Sequence, residues 1–443
     1  MKTSLSIVGI LLALAPPALG QNTSLSLNDA LRALPNSPDW RSADLAYESA
    51  VRSLEAAQAA TGFKLSAAGS YTLSQSNALV LSSTASVGVL PWSPTQDAIR
   101  SAQRALERAE LTRRDARNTL YINLVTQYFN LRQAANDTAI AQATLALRER
   151  QLQVTQARHQ AGNATWSDVL EAQQNLDAAR SNLVSATGAL AIARLTLAGT
   201  LGVNPQNLGQ PATAPSEPEL PSGTLEDLVQ QAYARRSDVL KAQSQLQDAQ
   251  DSLASAQRDR LIPDATLSVA YGGSSSGTAS LSAGLNFKSG TASLTGSLPL
   301  VSPGIGSQSP AWSLNLQASV PLFDPVSDVK IRSAQTAVDS AQQALETARR
   351  SAEMDIRQKY QALQTAKATV TAAKTALSAA EQNLRTAQAR LSAGTGTALD
   401  VQSAQLNQQQ ALRNLESAIA QAQLAALALQ NALGADLTHE GGL

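Results

Sequence analysis

"ARHQAGNATWSDVLEAQQNL" (Ala157–Leu176) and "ARLSAGTGTALDVQSAQLNQ" (Ala389–Gln408) share one plan: a helix-forming run, a glycine break, and a second helix-forming run. Working outward from them, Ala98–Gly202 aligns with Lys330–Gly434 without a gap. "IRSAQ" stands at Ile99–Gln103 and again at Ile331–Gln335, Tyr128 falls opposite Tyr360, and the glycine breaks coincide. Alanine-rich composition alone would not align such landmarks, so the chain is an internal duplication. Upstream, "SLSLNDALRALPNSPDWRSA" from Ser24 resembles "SGTLEDLVQQAYARRSDVLKA" from Ser222, but at a shorter spacing. The halves therefore differ in length between Gly62 and Pro94, or between Leu261 and Pro325.

Those two intervals are also where helical periodicity gives way to alternation. "KLSAAGSYTL" from Lys64 and "TASVGVL" from Thr84 read as strands in the first. "DATLSVAYGG", "SLSAGLNFKSG", "TASLTGSLPL" and "WSLNLQASVPLF" give as many as four in the second, with Gly, Ser and Pro between them. The Gly- and Ser-rich stretch around Gly272–Gly290 reads as an external loop or an extra hairpin, and the loop-bearing hairpin is favoured.

The resulting division is a signal peptide (1–20), leading helices of the first repeat (21–62), a first β insert (63–95) and a long helical hairpin (96–202, tip 161–165). A linker (203–223) follows, then leading helices of the second repeat (224–260), a second β insert (261–326), a second long hairpin (327–434, tip 393–397) and a C-terminal tail (435–443). The signal peptide rests on Lys2, the apolar run Leu5–Ala15 and the small residues Ala18 and Gly20. It places the mature chain outside the cytoplasm, beginning near Gln21.

Composition narrows the function. The 443 residues include 34 basic and 34 acidic side chains, so no nucleic-acid footprint is indicated. There is no cysteine, which excludes disulfides, thiolate metal sites and an acylated lipoprotein terminus. Aromatics make up 3% of the chain, too few for a conventional globular core of this size.

From Asp97 to about Gln160, and from Val329 to about Ser392, no proline interrupts the helical pattern, and each run would reach about 95 Å at 1.5 Å per residue. In the second run, one seam follows Ile331, Ala334, Val338, Ala341, Leu345, Ala348 and Ala352, and another follows Ala337, Ser340, Ala344, Thr347, Ser351 and Met354. Two offset seams let a helix touch a neighbour on each side, and repetition of that contact closes a tube of helices. Strands of about ten alternating residues in a secreted chain fit an outer-membrane β-barrel. One chain has too few to close it, so several copies must contribute.

The sequence resembles the TolC-like outer-membrane efflux protein family over essentially the whole mature chain. The stretches that carry the resemblance are "LEDLVQQAYARRSDVLKAQSQL", "LIPDATLSVAY", "WSLNLQASVPLFDP" and the paired AG…T…DV breaks, in that order. The resemblance implies a mainly α fold with β inserts: a homotrimer whose twelve-stranded outer-membrane barrel continues into a long periplasmic α-helical barrel. It implies an exit duct of a tripartite efflux or type I secretion system, docked on a periplasmic adaptor and an inner-membrane pump of RND, ABC or MFS type. No cofactor, metal or nucleic acid is implied, and no enzymatic activity.

Under the same resemblance, Gly162, Asn163 and Thr165, with Gly394, Thr395 and Thr397, form hairpin tips that meet the adaptor. Asp168 and Asp400 match aspartates just past the tips that hold the pore shut, Asp400 as part of a ring. The gating tyrosine and arginine of the family correspond to Leu391 and Gly396, and a second ring aspartate to Ser403, so a gate here is held differently or more weakly. Asp168 and Asp400 equally suit the first turn of the helices they begin. Membrane-girdle candidates are Phe63, Tyr71, Trp92, Tyr271, Phe287, Trp312 and Phe323.

His159 and His439 are the only histidines and lie far apart in sequence, so they suggest no metal or catalytic pair; "GGSSSG" at Gly272 lacks the context of a phosphate loop, and the sequons at Asn22, Asn136 and Asn163 need no function. No nucleophile–base constellation points to an enzyme. The alternative reading is a secreted coiled-coil spacer or stalk without a pore, which the long helices alone would suit.

Overall fold

In the computed structural model, the described residues are 24–60, 62, 64–72, 78–90, 92–272, 279–301, 311–319 and 324–438. The signal peptide, Phe63, Phe323 and His439 lie outside them. A short strand β1 (Ser24–Leu25) leads to α1 (Leu27–Ala33), α2 (Pro38–Ala59), the strands β2 (Lys64–Thr72) and β3 (Ala78–Gly88), and two long helices, α3 (Pro94–Gln160) and α4 (Trp166–Leu201). After β4 (Gln210–Pro211), the plan repeats with α5 (Leu225–Arg235), α6 (Ser237–Leu261), four strands and two long helices. The strands are β5 (Asp264–Gly272), β6 (Ser280–Asn286), β7 (Thr291–Val301) and β8 (Ala311–Ser319), and the helices are α7 (Pro325–Ser392) and α8 (Ala398–Ala432).

Proline opens both long helices, at Pro94 and Pro325, where a missing N–H costs nothing and φ is already helical. The 67 residues of α3 and 68 of α7 then run unbroken for about 100 Å. Each turns back at a glycine and returns as α4 or α8. In the tip half the contacts run α4–α3–α8–α7, and in the half next to the strands α2–α3–α6–α7. Each half is thus a row of four helices whose outer members are α4 or α2 on one side and α7 on the other.

The core sits at mid-length, where the duplication shows in the packing. Leu124 and Leu131 of α3 have no exposed surface, nor do Ile356 and Leu363, which occupy the matching places on α7. β1, α1 and the end of α4 cover the first pair with Leu25, Leu27, Ala30 and Leu197. α5 and α8 cover the second with Val229, Ala232 and Leu429. Polar bonds strengthen the joint between the repeats: Arg132 pairs with Glu416 at 3.1 Å, and Arg413 grips Asp137 at 2.6 and 2.8 Å. Asn118 donates to Asn431 Oδ1 and to the Ala435 carbonyl.

All six longer strands form one sheet in the order β2-β3-β7-β6-β5-β8, every pair antiparallel. The first insert supplies two strands, and β3 begins earlier than the alternation from Thr84 suggests. The second supplies four. Within the stretch favoured as a loop-bearing hairpin, residues 273–278 lie outside the described residues and the strand β6 is an added one: β6 and β7 lie between β3 and β5, and their ladders fill the space that a twelve-stranded trimer would close by direct β3–β5 pairing. Glycine and serine misdirect the reading here because they signal turns in isolation, yet along β6 and β7 they alternate with leucine.

The parallel β1–β4 bridge is fastened to α3 by Tyr128. Its buried hydroxyl donates to the Leu25 carbonyl at 2.8 Å and accepts from the Thr213 N–H at 2.9 Å. Tyr128→Phe would orphan the Thr213 N–H, while the Leu25 carbonyl keeps its bond from the Ala212 N–H at 2.9 Å, so equilibrium unfolding should show a loss of about 1–3 kcal/mol. A change within a few tenths would mean that the bridge is solvated and contributes little.

Candidate functional site

Two regions of the chain have no structural explanation within a single copy: the hairpin tips and the flanks left open by the helix rows and the sheet.

At the first tip, Gly162 takes φ +76°, the left-handed value that a side chain resists. The Gly162 N–H donates to the His159 carbonyl and the Asn163 N–H to the Arg158 carbonyl at 2.8 Å, which ends α3. Gly394 repeats this at φ +73°, with the Thr395 N–H donating to the Arg390 carbonyl at 2.9 Å. Asn163, Thr165, Thr395 and Thr397 are all exposed, and residues 160–167 and 391–399 contain no charge.

Asp168 and Asp400 each close a reciprocal cap. The Thr165 N–H donates to Asp168 Oδ2 at 2.7 Å while Thr165 Oγ1 accepts from the Asp168 N–H. Thr397 and Asp400 do the same at 2.9 and 3.2 Å. The backbone bond from Thr165 holds the Asp168 carboxyl below the usual carboxylate value, helped by the threonine hydroxyl, and Thr397 acts likewise on Asp400. Each carboxylate thus closes on its own threonine and stays on the surface. His159 Nδ1 lies 2.9 Å from the Ala164 carbonyl, and its ring lies 5.7 Å from Trp166, which is 66% exposed. Among the described residues no cluster suited to a metal ion is found.

The two seams of α7 have separate fates. Leu345 and Ala352 of the first seam are buried against Val239 and Ala242 of α6. Ala337, Ser340, Ala344, Thr347, Ser351 and Met354 of the second are all exposed. In the tip half, on the edge of the row away from α7, α4 presents Val184, Gly188, Ala191 and Leu195 to the outside, with Val184 at 73%. α4 reaches the length and mean hydropathy, 1.4, of a membrane span, yet only 11% of its most apolar window is buried.

The sheet is sharply two-faced. On one face stand Leu65, Leu81, Ala85, Leu294, Leu298, Leu281, Leu285, Leu267, Val269, Leu314 and Leu316; on the other stand Ser66, Ser82, Thr84, Thr295, Ser297, Ser280, Ser282, Ser268, Asn315 and Gln317, as the strand registers require. Tyr71, Tyr271 and Trp312 share the apolar face at the end remote from the helices, and the rings of the last two lie 4.7 Å apart. At the opposite end Trp92 donates from Nε1 to the Phe287 carbonyl at 3.0 Å. Alternation within each strand disclosed the faces in advance. The order of the strands, which sets what the hydroxyl face surrounds, had no local signal.

Comparison with known proteins agrees with this architecture. The outer membrane efflux protein family matches residues 31–203 and 228–435, one match for each repeat. A pyoverdine export outer membrane protein of Pseudomonas aeruginosa, OpmQ, is 31% identical over 199 residues, 44% of this chain; the chain spans only 39% of that relative's length. The crystal structure of the outer membrane protein VceC from Vibrio cholerae superposes with a TM-score of 0.66 at 20% identity, over 92% of this chain and 96% of that one. The open state of the Neisseria gonorrhoeae outer membrane channel MtrE superposes at 0.65 with 19% identity, over 93% and 89%. With its mainly helical, duplicated fold, its strand inserts and its place in the outer membrane with a helical extension into the periplasm, the chain belongs to the outer membrane efflux protein family.

Proposed function

We propose that three copies of this chain close into a duct that carries solutes from the periplasm to the outside, with the tips of α3–α4 and α7–α8 as its periplasmic mouth. The observation that carries the reading is the pair of open sheet edges. β2 and β8 run in opposite directions at the two ends of an alternating sheet, so β8 of one copy meets β2 of the next antiparallel. In hydrocarbon such edges must be paired, and only closure pairs them all. The apolar face then meets lipid, with Tyr71, Tyr271 and Trp312 at the outer surface, and the hydroxyl face lines water.

The helices close in the same sense. The exposed flank of α2 meets the second seam of α7 in the neighbouring copy, the exposed flank of α4 meets the tip half of α7 there, and small residues on both sides allow close approach. This accounts for the apolarity of α4 without a membrane span. A stalk without a pore would use the helical seams but gives no role to a sheet with one lipid-like and one water-like face. The uncharged tips, small and exposed, suit close packing against helices of a periplasmic adaptor that links the duct to an inner-membrane pump.

Val184 tests the closure, because in a single copy it touches little. Val184→Asp should leave helix content unchanged and lower the trimer fraction in detergent by at least tenfold, as measured by light scattering, since a carboxylate would be buried at the copy-to-copy joint. A wild-type protein that is monomeric under the same mild conditions would sink the duct.

The role of Asp400 divides by pH. As a cap alone, its carboxyl titrates below the ordinary range, so order at the second tip persists down to that range and is lost as the pH falls further. Three copies facing one constriction would repel and titrate above it. Single-channel current should then prefer cations and be blocked by periplasmic divalent ions, and Asp400→Asn should remove most of that block. Asp168→Asn should change it little. Block that is the same in Asp400→Asn and wild type would leave Asp400 as a cap only.

A further inference from the structure

The resemblance implies four strands per copy, but the described sheet of this chain has six. We propose that the hairpin β6–β7 is an integral pair of staves that widens the outer-membrane segment to eighteen strands, so that the barrel passes bulky hydrated solutes without regard to charge and sieving is left to the helical end. The inference rests on the duct reading above and adds the dimension and chemistry of its outer half.

Three observations make the hairpin wall and not an external flap. It is fully paired on both sides: Thr84, Ser82 and Ser86 of β3 stand opposite Thr295, Ser297 and Ser293 of β7, and Ser268 and Ala270 of β5 opposite Gly284 and Ser282 of β6. Its alternation is in phase with its neighbours, Leu281, Ala283 and Leu285 falling on the apolar face with Leu267 and Val269. Its turn is clamped at the helix-proximal end. The Gly290 carbonyl accepts from the Val89 and Leu90 N–H groups at 2.9 and 3.1 Å, and the Phe287 N–H donates to the Ala265 carbonyl at 2.8 Å. Gly290 sits at φ +63°, and a Cβ there would come within 2.9 Å of Leu90 Cβ, so the fit at this turn is close. Asn286 Oδ1 accepts from both the N–H and the hydroxyl of Ser289, fixing the turn itself.

Width follows from the strand count. Strands about 4.8 Å apart and tilted about 40° give a backbone cylinder about 36 Å across for eighteen, against about 24 Å for twelve. Twelve helices spaced about 8–10 Å apart measure about 95–120 Å around, close to the circumference of about 113 Å for eighteen strands, so the two tubes can join without a taper. The lumen is uncharged over most of its height. Within the described strands the only charges are Lys64 and Asp264, one of each sign, at the helix-proximal rim, and Asn286 Nδ2 donates to Asp264 Oδ1. Serine, threonine, asparagine and glutamine line the rest, groups that hydrate a passing solute without sorting it by charge.

The absence of cysteine makes the strand order directly testable. Thr84 Oγ1 and Thr295 Oγ1 lie 3.5 Å apart across β3–β7, so the double variant Thr84→Cys, Thr295→Cys should oxidise within one chain of the assembled trimer. Thr84→Cys with Ala270→Cys spans three strand spacings, about 14 Å, and should stay reduced. In planar bilayers, polyethylene glycol of about 10 Å hydrodynamic radius added from the external side should enter and lower the wild-type conductance; twelve strands would exclude it. Crosslinking of the second pair and not the first in a conducting trimer, or exclusion of that polymer, would overturn the wide barrel while leaving the duct intact. A protein that is monomeric or non-conducting overturns both, whatever its crosslinks.

Discussion

A backbone amide in hydrocarbon has no water to turn to, and most of this molecule's form follows from that constraint. Two sheet edges on a chain that cannot close on itself require copies of the chain. Copies arranged in a ring require that whatever continues from the strands also form a ring. The helices below the sheet meet this with flanks of small residues on both sides of each row. Neither flank is buried in a single copy, which explains why a chain with 43% hydrophobic residues leaves Val184, Ile192, Leu195 and Met354 in the open.

The tips are governed by a second, local constraint. A helix of 67 residues must end, and its last carbonyls and the first amides of the returning helix need partners. Glycine at positive φ provides the first set and the Thr–Asp reciprocal cap the second, in both repeats. The cap favours the ionised form of Asp168 and Asp400, so the same carboxylates that start α4 and α8 also place negative charge on the surface just past the tips. Capping and a role in the pore are therefore compatible, and they differ only in where the carboxylate titrates.

Helices and tips were legible in the sequence because their causes are local. The glycine break, the threonine and aspartate after it, and the offset seams of α7 lie within a few turns of one another, and the duplication states each of them twice. The faces of the strands were legible for the same reason. Strand order was not. That β7 lies beside β3 depends on ladder bonds between residues about 210 apart in sequence, such as Thr84 and Thr295, and on a clamp at Gly290 whose partners, Val89 and Leu90, belong to the other repeat. Serine and glycine in β6 and β7 hid those strands further, since a hydroxyl face toward a water-filled lumen has the composition of a loop.

The duplication has diverged only where geometry permits it. Inserting residues within α3 or α7 would rotate every later seam residue by about 100° and detach it from its neighbour, so the long hairpins align without a gap. A single added strand in the sheet would deliver the chain to the wrong side of the membrane and set two like-directed strands side by side. A hairpin does neither: β6 descends, β7 ascends, both neighbours remain antiparallel, and β8 still hands the chain to α7 on the helical side. Growth by pairs of strands is thus the one change in this fold that leaves topology, closure and the helical rows intact, and the second repeat carries one such pair.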